Sequence, residues 1–496
     1  MTTIAEPRVK SAENLPPAAG DTARTIVNIR RLIWLYLALL ILEGALRKWI
    51  IPQFSAPLLI IRDPVVCLIY LLALRARLFP FNTYIITLIV IAILSAAAGI
   101  LALSQYAVMK TVLLITAYGV RSDFLHLPLI FIIPAVMDLE DVKRVGWWTI
   151  MGMVPMALLM AAQFSASPDS FINSTAGLGE GMQLGAGGGK IRPPGPFSFI
   201  SGAVYYLSAV AAFMLHAILA RLPYKKWQLV AAAAALFVGM AVSGSRSTVL
   251  AVGVVVASLA LIVIMRPSLA GKVGRYILIA AVVLWLTSYL PLFRQGLGIL
   301  SDRFAEGAES SETTVVHGLF SRVAGGFIEG AQVVTRAPLG GFGLGVGTNG
   351  GANFLVGHAE VLLAENEWSR ILLESGPILG LAFLLWRCAI TYRIGRLAVR
   401  QLTYGNTLPL FLFSAAFFVL LEGPFGQPTS LGFAVALGGL SLAARRREDE
   451  LAEPPEETDE EPPGPPRRIG RRSAYAERLH GELRSNFPRS HGALDR

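Results

Sequence analysis

The chain has 496 residues, of which 54% are hydrophobic and only 15% charged. Soluble domains carry about 25% charged residues, so a soluble globular protein is excluded. The net charge of +10 does not indicate nucleic acid, because the Lys and Arg residues cluster beside long apolar runs, where membrane orientation requires them.

Those runs fall at 32–50, 58–74, 84–103, 107–137, 146–164, 199–220, 227–243, 247–265, 276–292, 368–386, 406–422 and 429–444. Most approach the ~20 residues that a helix needs to cross a bilayer. Alternating strands of ~10 residues, the mark of a membrane β-barrel, are not seen. The expected fold is therefore an all-α, polytopic membrane helix bundle of about twelve spans, embedded in a lipid bilayer. Residues 1–28 read as a flexible arm with no cleavable signal peptide, and the first run itself serves as targeting signal. The fourth run is long and interrupted by Arg121, Ser122 and Asp123, with Pro128 and Pro134 following. It reads as a broken helix, which survives only where protein or a water-filled cavity satisfies the backbone; the alternative is two short re-entrant segments, with the count of crossings unchanged. Cys67 and Cys388 lie in apolar runs and read as small core residues. The tail, 445–496, is rich in Pro, Glu, Asp and Arg and reads as disordered, available to other assembly proteins. No internal repeat supports an inverted-repeat transporter.

Alternate connections are basic: Arg75 and Arg77; Lys143 and Arg144; Arg221, Lys225 and Lys226; Arg266, Lys272 and Arg275; Arg393, Arg396 and Arg400; then Arg445 to Arg447. The positive-inside rule puts these, and both termini, in the cytoplasm. Four unusual stretches then share the external side. They are the hairpin 43–64, the Gly-rich connection 165–198, the turn 243–249 and one large loop, 293–367. Long loops in compact proteins are usually functional or disordered.

Arg47, Lys48, Arg62, Arg192, Arg246, Arg303 and Arg322 lie in these external stretches, against the orientation bias. One such residue reads as a snorkelling side chain. Seven read as an anion site, since guanidinium forks bind phosphate oxygens and stay charged. In "SGSRS", 243–247, small residues at a helix start leave backbone N–H groups free for an anion. The run "GGFGLGVGTNGG", 340–351, contains G-x-G-x-x-G at Gly345, Gly347 and Gly350. The dinucleotide reading fails because that fingerprint needs a βαβ unit. Tight turns or close backbone approach to a ligand explain the glycines better. His317 and His358 stand apart from any metal-binding spacing, so neither metal nor cofactor is expected.

The segment "ENEWSRILLESGPILGL", 365–381, puts Glu365, Glu367, Arg370 and Glu374 at the mouth of the tenth run. Arg370 and Glu374 are four residues apart and share a helix face, which suggests a structural pair. Arg62 and Asp63, with Arg47, suggest a buried ion-pair network in the first hairpin.

In order, "RPPGPF", "SGSRSTVLAVGVVV", "APLGGFGLGVGTN" and "ENEWSRILLESGPILGL" resemble the motifs of the O-antigen ligase and polymerase superfamily, bacterial polytopic membrane glycosyltransferases. The resemblance covers about residues 190–390, and the first hairpin points to a less characterised branch. It implies transfer of a glycan from a polyprenyl-diphosphate carrier to an acceptor hydroxyl, on a glycan or a lipid, at the outer face of the inner membrane. It also implies diphosphate-binding roles for Arg192 and Arg246, with Arg322 a weaker third. The family motif begins His-Asn. Here Asn366, Glu374 and Gly376 hold their places, but Glu365 stands where His is expected. Glu365 then reads either as a general base or as a helix cap, as does Asn366 for capping. Glu360 and Glu367 are further candidate bases. The departure favours a polymerase over a ligase. A transporter or flippase for an anionic lipid-linked substrate is the competing expectation.

Overall fold

The computed structural model describes residues 17–177, 183–309, 315–357, 362–364 and 366–445, with side chains from 22 onward except 306–324. It is an all-α bundle. The helices are α1 (Pro17–Ala45), α2 (Ser55–Leu58), α3 (Asp63–Arg75), α4 (Thr83–Leu103), α5 (Met109–Val120), α6 (Leu129–Val136), α7 (Leu139–Ser165), α8 (Ile200–Leu219), α9 (Lys226–Val242), α10 (Arg246–Met265), α11 (Ala270–Thr287), α12 (Pro291–Glu309), α13 (Val315–Val334), α14 (Asn349–Val356), α15 (Glu367–Thr403), α16 (Leu408–Glu422) and α17 (Pro428–Ala443). A small antiparallel hairpin, β1 (Gly185–Gly187) with β2 (Lys190–Ile191), precedes α8. Among the described residues eight helices are long and apolar enough to cross a membrane. The pair around α5 and α6, bent by 40°, makes up to nine if it is counted as one broken span rather than a re-entrant loop. Helices α9, α16 and α17 are apolar but shorter. The chain therefore enters and leaves its helices close to all twelve apolar runs.

Local chemistry accounts for the helix ends. Asn82 caps α4 by accepting from Ile85 N at 3.1 Å, and Asp138 and Asp141 form a reciprocal cap on α7, satisfying amides that lack partners in the first turn. Helix α17 is buried along nearly its whole length, Ser430 to Ala443. With α8 and α16 it forms the centre of the bundle.

Hydrogen bonds fix two ends. At the lower end Arg30 donates to Val136 O at 2.9 Å, Arg266 to Leu402 O at 2.7 Å, and Asn406 to Ala444 O at 2.7 Å. At the upper end Lys48 donates to Gly195 O and Arg62 to Pro428 O, both at 2.6 Å, and Ser201 bonds Gln427 at 3.2 Å.

Three expectations need correction. Helix α1 begins at Pro17, inside the stretch read as a flexible arm; residues 1–16 and the tail from 446 lie outside the described residues. The stretch 293–367 is no bare loop, since it holds most of α12 and all of α13 and α14. These helices are only partly apolar, so a search for long apolar runs passes over them. Cys67 is exposed rather than buried. It shares α3 with exposed Leu68, Leu71 and Leu74, and an apolar run in a membrane chain does not distinguish core-facing from lipid-facing positions.

The glycine run serves the backbone of the bundle. Helix α15 breaks at Gly376, whose φ is 76°. Pro377 follows, and it can neither donate an N–H nor tolerate the carbonyl four residues back, that of Leu373. Phe342 N and Gly343 N donate instead to Leu373 O and Glu374 O, at 2.8 and 3.1 Å. The strip is flanked on its other side by α5. Gly345 has φ 95°, and a Cβ there would strike Ile115 O and come within 2.9 Å of Gly119 N. Gly345→Ala is expected to destabilise the protein by about 1–3 kcal/mol from the backbone conformation alone, with the overlap added. Thermal unfolding in detergent measures this; a melting temperature equal to wild type would contradict the packing.

Candidate active site at the upper end of the bundle

The upper end carries a small cleft, lined among others by Lys48, Gln163, Asn173, Gln183, Arg192 and Ser198. Its floor is built from "RPPGPF". Gly195, at φ 63°, is held by the Gln163 amide, which accepts from Gly195 N at 2.8 Å and donates to Gly195 O at 3.2 Å. Lys48 Nζ bonds the same carbonyl. Arg47 reaches Ser198 Oγ at 3.2 Å. The pinned segment sets the position of Arg192.

Two arginines from separate segments meet beside this cleft, and the turn that leads into a third packs on the same hairpin. Arg192 Nε and Arg303 Nη1 donate to one acceptor, Gly185 O, at 3.0 and 3.4 Å. Arg303 Nε is buried without a hydrogen-bond partner. The "SGSRS" turn packs on the same hairpin: a Cβ at Gly244 would lie 2.8 Å from Ala186 Cβ and 3.8 Å from Arg192 Cγ. Arg246 opens α10 two residues later, half-buried. The Ser245 side chain does not cap that helix, and Thr248 N donates to Ser245 O at 3.1 Å.

Two ion-pair networks hold the helices together, the first of which reaches the cleft through Arg47. In the first, Glu43 pairs with Arg62 at 3.1 Å and with Arg47 at 3.5 Å. Arg62 and Asp63 do not pair with each other. Asp63 binds Arg121 at 2.5 Å and His126 Nε2 at 2.9 Å, and His126 Nδ1 meets Tyr36 Oη at 3.1 Å. In the second, Arg370 makes five hydrogen bonds to three carboxylates, those of Asp123, Glu367 and Glu374. The Arg370–Glu374 distance is 2.7 Å, at the i, i+4 spacing. Glu374 Oε1 accepts from Gly347 N at 2.7 Å, tying the network to the glycine strip. Glu367 also meets Arg387 at 3.3 Å and accepts from Phe425 N at 3.0 Å.

The break in the fourth run joins the two networks. Residues Arg121–Leu125 form a π-helical turn, and so do Leu46–Ile50. Such turns interrupt regular bonding and recur at functional sites. One carries Arg121 and Asp123, one partner for each network; the other carries Arg47 and Lys48.

The charged residues expected at an open mouth are therefore buried: Glu367, Arg370 and Glu374 expose 6%, 4% and 1% of their surface. Arg62 and Lys48 are also buried, at 1% and 3%, with their donors engaged by the protein. Asn366 caps α15, accepting from Trp368 N at 2.9 Å. Glu365, Glu360 and His358 lie outside the described residues, as do the side chains of Arg322 and His317. Sequence reasoning missed Glu43, Arg121, Asp123, His126 and Arg387 as members of the site. Their signal was present, since ionisable groups within apolar runs are costly and usually functional, but their partners are distant in sequence. Among the described residues no three His, Cys, Asp or Glu side chains are grouped to hold a metal ion. Comparison with family profiles, curated proteins and solved structures finds no match to this chain.

Proposed function

We propose that the protein is a membrane glycosyltransferase that moves a glycan from a polyprenyl-diphosphate carrier to an acceptor hydroxyl at the outer face of a bacterial inner membrane. The observation that supports the reading is the sharing of Gly185 O by Arg192 and Arg303 beside a cleft at the upper end of a membrane bundle, with the turn that leads into Arg246 packed on the same hairpin. A departing diphosphate gathers negative charge. Fixed cations aimed at developing charge are a large catalytic term, and guanidinium forks suit phosphate oxygens. The shared bond to Gly185 O holds Arg192 and Arg303 in place before reaction. Polymerisation is favoured over ligation, because Glu365 stands in place of the histidine of the ligase motif.

Orientation follows from charge. The basic connections, such as Lys143 with Arg144 and Arg266 with Lys272, belong to the lower end, which by the positive-inside rule is cytoplasmic. Fluorescent protein fused after Arg445 is expected to be bright, and alkaline phosphatase inserted near Ser174 active. The reverse pattern would put the cleft on the wrong side for this reaction.

The reaction is tested by the envelope glycan profile of a gene deletion, complemented with wild type or with Arg246→Ala. Single repeat units in the deletion, restored to long chains by wild type only, identify a polymerase. Complete glycan stranded on its carrier identifies a ligase. A profile that never changes removes the reading and turns attention to transport of an anionic lipid-linked substrate in liposomes.

A further inference from the structure

A carboxylate that plays no part in either ion-pair network stands at the upper end. Glu422 closes α16, and its Oε1 is buried without a hydrogen-bond partner. Its position is doubly unfavourable. A carboxylate in the last helical turn faces the negative end of the helix dipole, and an unpartnered buried polar atom costs about 1–3 kcal/mol. Arg387 lies close by but serves the backbone: it donates to Leu420 O at 3.1 Å and Gly423 O at 2.9 Å and pairs with Glu367. It caps the helix end without bonding Glu422.

Helix α13 closes over this group at a glycine. A Cβ at Gly326 would lie 3.4 Å from Asn366 Nδ2 and 3.7 Å from Glu422 Oε1, so both polar atoms converge on the space that glycine leaves. Asn366 Nδ2 donates to Glu329 Oε2 at 3.2 Å. The rings of Phe327 and Trp368, 3.8 Å between centroids, form the neighbouring wall, and Phe327 is exposed. An amide, two carboxylates and an aromatic face are the groups that recognise a sugar, whose hydroxyls need donors and acceptors and whose C–H face packs on rings. Helix α16 packs on α10. Arg266 at the far end of α10 bonds Leu402, near the start of α16, so the two helices run antiparallel and Arg246 and Glu422 share the upper end.

We propose that Glu422 is the proton acceptor for the attacking hydroxyl of an acceptor sugar, held with Asn366 and Glu329 under α13; this rests on the transferase reading. The hydroxyl oxygen forms a bond to the anomeric carbon of the donor glycan. Its proton passes to the Glu422 carboxylate. The bond between that carbon and the diphosphate oxygen breaks, and its electron pair leaves on the diphosphate, beside Arg246.

The test uses membranes whose own lipid-linked units are labelled from a radioactive sugar nucleotide, and follows initial rates of chain extension. A general base contributes about 10²–10⁴-fold, so Glu422→Gln is expected to slow extension at least about 100-fold, with unchanged protein abundance and unchanged KM for the lipid-linked donor. Gly326→Val fills the niche and is expected to raise the KM for acceptor chains. If Glu422→Gln extends chains within about threefold of wild type while Arg246→Ala is inactive, the role of Glu422 falls and the transferase reading stands. If both variants behave as wild type, both fall. Should Glu422→Gln fail to accumulate, Gly326→Val at normal abundance decides, and wild-type extension by it overturns the niche.

Discussion

Arg370→Ala is expected to remove the folded protein from the membrane. Arg370 is 4% exposed and its guanidinium faces Asp123, Glu367 and Glu374, none more than 6% exposed. Breaking one buried pair by deleting a partner costs about 3–5 kcal/mol, because the remaining charge is stranded. Here three carboxylates lose their common cation, and among the described residues the other guanidinium in the network, Arg387, pairs with Glu367. A whole protein is stable by about 5–15 kcal/mol, so the loss approaches the entire margin. Arg370→Lys separates charge from geometry. It keeps the cation but offers three donors in place of a fork that makes five bonds, so an intermediate loss is expected. Abundance in membranes and the detergent melting temperature read both variants. Wild-type values for Arg370→Ala would mean that the network is not a structural hub.

The Arg370–Glu374 half of this hub was legible in the sequence, because a four-residue spacing places two side chains on one helix face. Asp123 was legible only as an oddity within an apolar run. Its partner lies 247 residues away, and no local pattern encodes that distance. The helical bundle itself was readable because hydropathy alone fixes span length, and the broken fourth run because Arg121, Ser122 and Asp123 sit where lipid would not tolerate them. The glycine strip shows the middle case. Tight backbone was foreseeable from "GGFGLGVGTNGG", but its two neighbours, the α5 backbone and the carbonyls freed by Gly376–Pro377, come from tertiary packing. Burial was the main misreading. Glu367, Arg370 and Glu374 stand near the end of an apolar run, which in sequence looks like an interface, yet the break in α15 folds them inward. Glu422 follows an apolar run with no local pattern to single it out, and only the orphaned oxygen distinguishes it.

Arg246→Ala is expected to leave the fold intact and to lower transfer by about 10²–10³-fold, the range for removing one fixed donor from developing negative charge. The two effects separate because of what Arg246 does not do. It is half-buried at the first position of α10, and the ion-pair networks are complete without it. Substitution at such a position usually changes stability by less than about 0.5 kcal/mol. Arg192 and Arg303 are less clean probes, since both hold Gly185 O and their loss also loosens the hairpin. Arg246→Lys keeps the charge without the fork and is expected to recover part of the rate. Abundance on a blot and chain length on a gel, taken from the same cells, distinguish the outcomes. Short glycans at normal abundance support a cation acting on the leaving diphosphate. Normal glycans at normal abundance would leave the upper arginines without a diphosphate to bind, and the upper cleft would then have to be assigned to a different anion.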